Sequence, residues 1–245
     1  MTPPRRRTLP CLPVRGFALT LLALLGVSAC TQDKLPVPLS APTAPALTAP
    51  QAELLALTRF ANYRRGTAQV TADIPVQGHH ARLTGRLDWR HGAGLAVLQG
   101  TGGVLEHGRH LLRWDRSTVS MRQNWTGRLP PHPPRDGWTQ RALTARASAI
   151  DTTLLLLLDL AADRPDNAQL LLHSGARRLG HEEVAGVPVT VFAGPSATAP
   201  RGAAPETSRT APGRTRYWIG ADGRLCRFSA RLGGGTEWLV ATFSV

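Results

Sequence analysis

Between residues 81 and 90 the chain alternates strictly. Ala81, Leu83, Gly85, Leu87 and Trp89 interleave with Arg82, Thr84, Arg86, Asp88 and Arg90. A period of two places the first set on one face of a strand and the second on the other, which predicts a sheet with one buried and one wet face. Less regular apolar runs at 94–99, 109–114 and 118–124 are separated by Gly100-Thr101-Gly102-Gly103 and Asp115-Arg116, and predict successive hairpins. The stretch Leu129-Pro130-Pro131-His132-Pro133-Pro134 ends this sheet, because proline has no N–H to give a ladder. Alternation returns at Val187, Val189 and Val191. It continues at Tyr217-Trp218-Ile219, an Asp222-Gly223 turn, and Cys226, Phe228, Ala230 and Leu232 set against Arg227, Ser229 and Arg231. A last strand is expected from about Trp238 to Phe243.

Two segments carry helical signals instead. Thr48 and Gln51 have capping-box spacing, and Leu54, Leu57, Phe60 and Ala61 follow at helical intervals to about Tyr63. Ser148 and Asp151 offer a second start, followed by Leu154, Leu155, Leu156, Leu157 and Leu158, then Leu160, Ala161 and Ala162, with Pro165 as the stop. Five consecutive leucines leave no polar face. Such a helix has to be covered on nearly all sides, since each exposed leucine forfeits about 1.5–3 kcal/mol. It is therefore either a core helix or one wall of a lipid-filled cleft. The order of elements (helix, antiparallel strands, buried helix, more antiparallel strands) predicts an α+β domain built on a curved antiparallel sheet.

The N-terminus changes the picture from fold to place. Arg5, Arg6, Arg7 and Arg15 precede a short apolar core, Phe17 to Leu25, and small residues at 26, 28 and 29. This reads as a signal peptide over 1–29, too short before Asp33 and Lys34 to span a bilayer. Val27-Ser28-Ala29-Cys30 matches the bacterial lipobox, in which the cysteine takes a diacylglycerol and becomes the first residue after cleavage. Arg6-Arg7-Thr8-Leu9 also loosely fits a twin-arginine pattern, so the export route stays open. Residues 30–48 then form a Pro/Ala-rich tether, and a single domain is expected over 49–245. The stretch 194–213, almost all Gly, Pro, Ala, Ser and Thr, reads as a disordered surface loop. The expected location is the extracytoplasmic face of the cell membrane, with Cys30 as lipid anchor.

Composition agrees. The 245 residues include 29 Lys+Arg against 16 Asp+Glu, a formal +13 that falls to +9 once the four signal arginines are removed. Only Lys34 is a lysine, and the arginines are scattered, so nucleic acid is not expected as a partner; the charge reads as a solvated basic surface, with weak attraction to an anionic membrane or wall polymer as the sharper alternative. Cys11 is cleaved and Cys30 lipidated, which leaves Cys226 unpaired and predicts no disulfide. The histidines His79-His80, His107 with His110, and His181 beside Glu182 and Glu183 lack metal-site spacing. No G-x-S-x-G elbow, P-loop or S-x-x-K is present, and Asp159 with Asp163 is an ordinary solvated pair. No enzyme, cofactor or metal is expected.

One stretch looks like a known family. Arg177-Arg178-Leu179-Gly180-His181-Glu182-Glu183-Val184-Ala185-Gly186-Val187-Pro188-Val189-Thr190-Val191-Phe192, followed by Tyr217-Trp218-Ile219-Gly220-Ala221-Asp222-Gly223-Arg224-Leu225, resembles the LolA-like lipoproteins, in particular the actinobacterial LppX/LprG family. There a strand pair with a "v-x-G-v-x-t" run precedes a "W-[IV]-x-x-x-G" hairpin, behind a leucine-rich helix, a tether and a lipobox. The resemblance implies an antiparallel half-barrel whose concave face is plugged by helices and holds the acyl chains of a lipid or lipidated molecule. On this reading Leu83, Leu87, Val97, Leu154, Leu155, Leu156, Leu157, Leu158, Val189 and Phe228 line the cavity. The alternative is a sensory or scaffolding lipoprotein with a solid core that binds an envelope protein partner.

Overall fold

The computed structural model describes residues 44–101, 108–196 and 213–244. The signal segment, Cys30, most of the tether, His107 and residues 197–212 lie outside them. Pro42–Val245 form one compact unit with its own core, the part of the chain expected to fold by itself.

Among the described residues, eleven strands make one antiparallel sheet. They are β1 (Thr67–Val76), β2 (His79–Asp88), β3 (Ala93–Thr101), β4 (Arg109–Trp114), β5 (Thr118–Arg122) and β6 (Thr139–Ala142), then β7 (Arg177–Val184), β8 (Val187–Ala193), β9 (Thr215–Gly220), β10 (Leu225–Arg231) and β11 (Trp238–Ser244). Their spatial order is β6-β5-β4-β3-β2-β1-β11-β10-β9-β8-β7. Two meanders thus meet where β1 pairs with β11, through Ala72↔Ala241 among others. The chain leaves the first meander at one edge and enters the second at the other. At about 4.8 Å per strand that crossing is on the order of 50 Å. Residues 143–176 make it, carrying helices α2 (Ala149–Asp159) and α3 (Ala168–Leu172), while α1 (Ala49–Arg65) precedes β1. The fold is α+β, as the pattern of elements predicts.

The alternation in β2 lands where expected: Ala81, Leu83, Leu87 and Trp89 are buried in the main core with α1 and α2. Strand β1, with Ala68, Val70, Ala72 and Ile74 on the same inner face, went unrecognised in the sequence because alanine and threonine dilute its alternation. Helix α1 begins with the expected capping box, but the face it buries is Ala52, Leu55, Ala56, Thr58 and Asn62. Leu57, placed on the apolar stripe by spacing, is 45% exposed. Strand β10 also departs from simple alternation. A bulge between Leu225 and Arg227 turns Cys226 to the outer face, where it packs with Val184, Val191 and Trp218, while Phe228 and Ala230 stay inside.

The residues just before α1 pack on the domain. Ala46 bridges to Arg177 at the edge of β7, Arg177 donates to the Ala44 carbonyl at 2.9 Å, and Leu47 is buried in the core. The domain therefore includes at least residues 44–48, which the sequence analysis assigns to the tether.

Candidate functional site

Helix α2 is held against the sheet by groups that leave little freedom. Ser148 caps it, accepting from the Asp151 N–H at 2.9 Å. The buried Asp151 carboxylate takes two bonds from Arg141 on β6, at 2.7 and 2.5 Å. Burial alone would raise the Asp151 pKa; the Arg141 bonds and charge, with Thr144 and Ser148, outweigh it and hold the carboxyl below its usual range. Two indoles finish the attachment. Trp89 donates to the Leu157 carbonyl at 2.9 Å and Trp114 to the Leu154 carbonyl at 3.2 Å. The Trp114 ring lies across β3 where only a glycine, Gly94, leaves room for it. Leu154, Leu157 and Leu158 are consequently fully buried over β1 to β4.

The other flank of α2 is different. Leu156 is half-buried and faces a cleft of about 660 Å³ bounded by α1, the end of α2, α3 and strands β9 and β10. Its walls are Leu55, Leu156, Leu160, Leu171, Tyr217 and Phe228, and Leu170 stands at its rim, 69% exposed. Tyr217 and Phe228 pack with ring centres 5.2 Å apart and form the floor. Burial pushes the Tyr217 phenol above its ordinary pKa, so it stays neutral.

One end of the cleft is closed by polar contacts. Arg59 of α1 donates to the Asp159 carbonyl at 2.8 Å and to the Asp166 carboxylate at 2.9 Å. Asn62 donates to the Leu160 carbonyl at 2.8 Å. The Asp166 and Ala162 N–H groups reach the α1 carbonyls of Ala56 and Arg59. A cleft with a group of apolar walls beside a polar clasp suits an amphiphile.

Other cavities in the described residues are lined differently. One of about 640 Å³ beside the clasp is walled by arginines, aspartates and His91. Another, of about 550 Å³, lies against β2 to β5 with Arg86, Asp88, Arg113 and Gln140. A third, of about 910 Å³, is made mostly of turn residues such as Gln77, Gly78, Gly233 and Gly235. No group of three or more His, Cys, Asp or Glu side chains in the described residues could hold a metal, and no described helix is long and apolar enough to cross a membrane.

No family model and no curated protein matches the chain. Among solved structures it is similar to the crystal structure of LprF from Mycobacterium bovis, at 14% identity over 82% of this chain and 94% of that one, with a TM-score of 0.39. It is also similar to a DUF1329 family protein from Desulfovibrio piger (10% identity, 73% and 82% of the chains, TM-score 0.23). A third is described as an outer membrane lipoprotein-sorting protein domain from Vibrio parahaemolyticus (8%, 73% and 83%, TM-score 0.20).

Of the residues assigned to a cavity from sequence, only Leu156 and Phe228 line the cleft. Leu83, Leu87, Leu154, Leu157 and Leu158 form the closed core beside it, and Leu155 is half-buried elsewhere on α2. Val97 and Val189 lie on the opposite face of the sheet. Val97 packs with Leu95 and Leu111 beneath Trp125, Leu129 and Trp138; Val189 packs with Val184, Val191, Trp218 and Cys226. Their strands are apolar on both sides, β3 because the proline-rich segment covers its outer face, so hydrophobicity alone misassigns the face. The α1 and α3 walls were missed. The run Leu170-Leu171-Leu172 behind the Asn167 cap, which accepts from Gln169 and Leu170, was the available signal for α3.

Proposed function

We propose that the protein is a membrane-anchored extracytoplasmic lipoprotein that binds a lipid or acylated molecule in the cleft between α1, α3, β9 and β10, and carries or chaperones it. The single observation that supports this most is that the half-buried Leu156 of the leucine-rich α2 lines a cleft of about 660 Å³ together with Leu55, Leu160, Leu171, Tyr217 and Phe228. A chain of a dozen methylenes there would contribute about 10 kcal/mol of gross transfer free energy, at about 0.8 kcal/mol per group. Its polar end would meet Arg59 and Asp166. The cleft offers a stretch of apolar wall and the Tyr217 phenol for an acyl chain, with polar groups at its clasp for a head group.

The lipobox at Cys30 supports anchoring. Cys30→Ala should release the protein from membranes, and membrane retention of that variant would refute the anchor. Equilibrium binding of a fluorescent fatty-acid probe to residues 42–245 tests the cleft. Leu156→Arg should abolish binding while the thermal unfolding transition survives; wild-type affinity in that variant would remove the cleft from the proposal.

A further inference from the structure

The outer face of the second meander carries a set of cations that the lipid cleft does not use. Arg227 and Arg231 of β10, Arg216 of β9 and Trp238 of β11 are half-buried there, next to Trp218. Register makes them neighbours: Arg231 is opposite Trp238, and Arg227 is opposite Trp218. The Arg216 and Arg231 guanidiniums both stack on Trp238, at 4.6 and 4.7 Å from the ring centre, and Arg227 stacks on Trp218 at 5.5 Å.

Acidic groups on this face are already engaged or lie at its margin. Glu182 accepts the Trp218 indole N–H at 2.8 Å, Asp73 is held by Arg82 at 3.1 Å, and Glu237 is exposed in the turn before Trp238. Among the described residues, none of the ion pairs involves Arg216, Arg227 or Arg231. The Nε atoms of Arg227 and Arg231 are buried with no hydrogen-bond partner. Stacking fixes each guanidinium plane, which lowers the ordering cost of a phosphate contact, and a guanidinium is more weakly hydrated than an ammonium.

From this geometry we infer that the outer face of β9, β10 and β11 is a docking surface for a bilayer containing anionic phospholipid. Guanidiniums on two adjacent strands supply the charge complement to lipid phosphates. The half-exposed Trp238 between them is the side chain that favours the boundary between head groups and water. The inference stands apart from the cargo proposal, since the cleft lies on the other side of the sheet.

Co-sedimentation of residues 42–245 with phosphatidylcholine–phosphatidylglycerol vesicles, and with pure phosphatidylcholine vesicles, tests it. Binding should require the anionic lipid and disappear between about 0.1 M and about 1 M salt, as the screening length falls from about 10 to about 3 Å. Each guanidinium removed should weaken binding about fivefold, so that Arg216→Gln/Arg227→Gln/Arg231→Gln together lose about a hundredfold. A control triple at the exposed Arg135, Arg146 and Arg164, also to Gln, removes the same charge elsewhere and should bind nearly as wild type. Thermal unfolding of both triples establishes folding, and if the first is unfolded, Trp238→Leu with the arginines intact should show a partial loss. Equal binding to neutral vesicles, equal loss in both triples, or retention of a soluble anionic polymer but not of vesicles would each overturn the inference.

Discussion

The two halves of the inner face solve one problem in opposite ways. Over β1 to β4, helix α2 presents Leu154, Leu157 and Leu158 to a sheet that receives them completely, with the Trp89 and Trp114 indoles bonded to the helix backbone. Over β9 and β10, the same helix presents Leu156 to an open cleft whose far wall is a five-residue helix with Leu170 mostly in water. One half is finished as a core. The other buries Phe192, Ile219 and Phe228 against the sheet but leaves a cleft above them between α1 and α3. Since a leucine gains about as much from an acyl chain as from another side chain, the second half is where a ligand can substitute for protein at little cost.

The sharpest way to break this contrast is at the pinned half. Trp89→Ala or Trp114→Ala should cost about 3–5 kcal/mol of stability, measured by denaturant unfolding, because each removes a buried ring and a helix anchor. Leu157→Ala should cost about 2–5 kcal/mol, whereas Leu156→Ala, one residue away on the cleft side, should cost under about 1 kcal/mol and mainly weaken acyl-chain binding. Equal losses at 156 and 157 would mean that the two flanks of α2 are packed alike.

Smaller effects come from the carboxylates that fix the pinned half. The Asp115 carboxylate accepts the Ser117 and Thr118 N–H and hydroxyl groups, which lower its pKa to about 2. Asp151 is also depressed, by Arg141. A carboxyl with a lowered folded pKa stabilises the fold above its unfolded value, near 4, and loses that contribution as pH falls toward the folded value. Unfolding free energy should therefore be flat above about pH 4.5 and decline between about pH 4 and pH 2. Asp115→Asn should flatten part of that decline, and an unchanged acid limb would argue against the turn's role.

Much of the pinned half was legible in the sequence, and little of the cleft was. The β2 alternation and the Ser148/Asp151 start are local signals, and each appears where spacing puts it. The cleft depends on which elements converge from far apart in the chain: Arg59 with Asp166, Leu55 with Leu171, Leu156 with Phe228. No local period encodes that convergence. Val97 and Val189 show the matching error, because a strand buried on both sides carries no periodic mark of which face meets the helices. The bulge at Leu225–Arg227 shows another, since one extra residue moves Cys226 to the opposite face from Phe228.

Mass spectrometry of an organic extract tests the central claim most directly, using the chain exported by a bacterial host and purified without detergent as residues 42–245. The account predicts an acyl-chain lipid near one per protein, lost in Leu156→Arg. A folded, monomeric protein with an empty extract would contradict it, and would favour a lipoprotein that binds an envelope protein instead of a lipid.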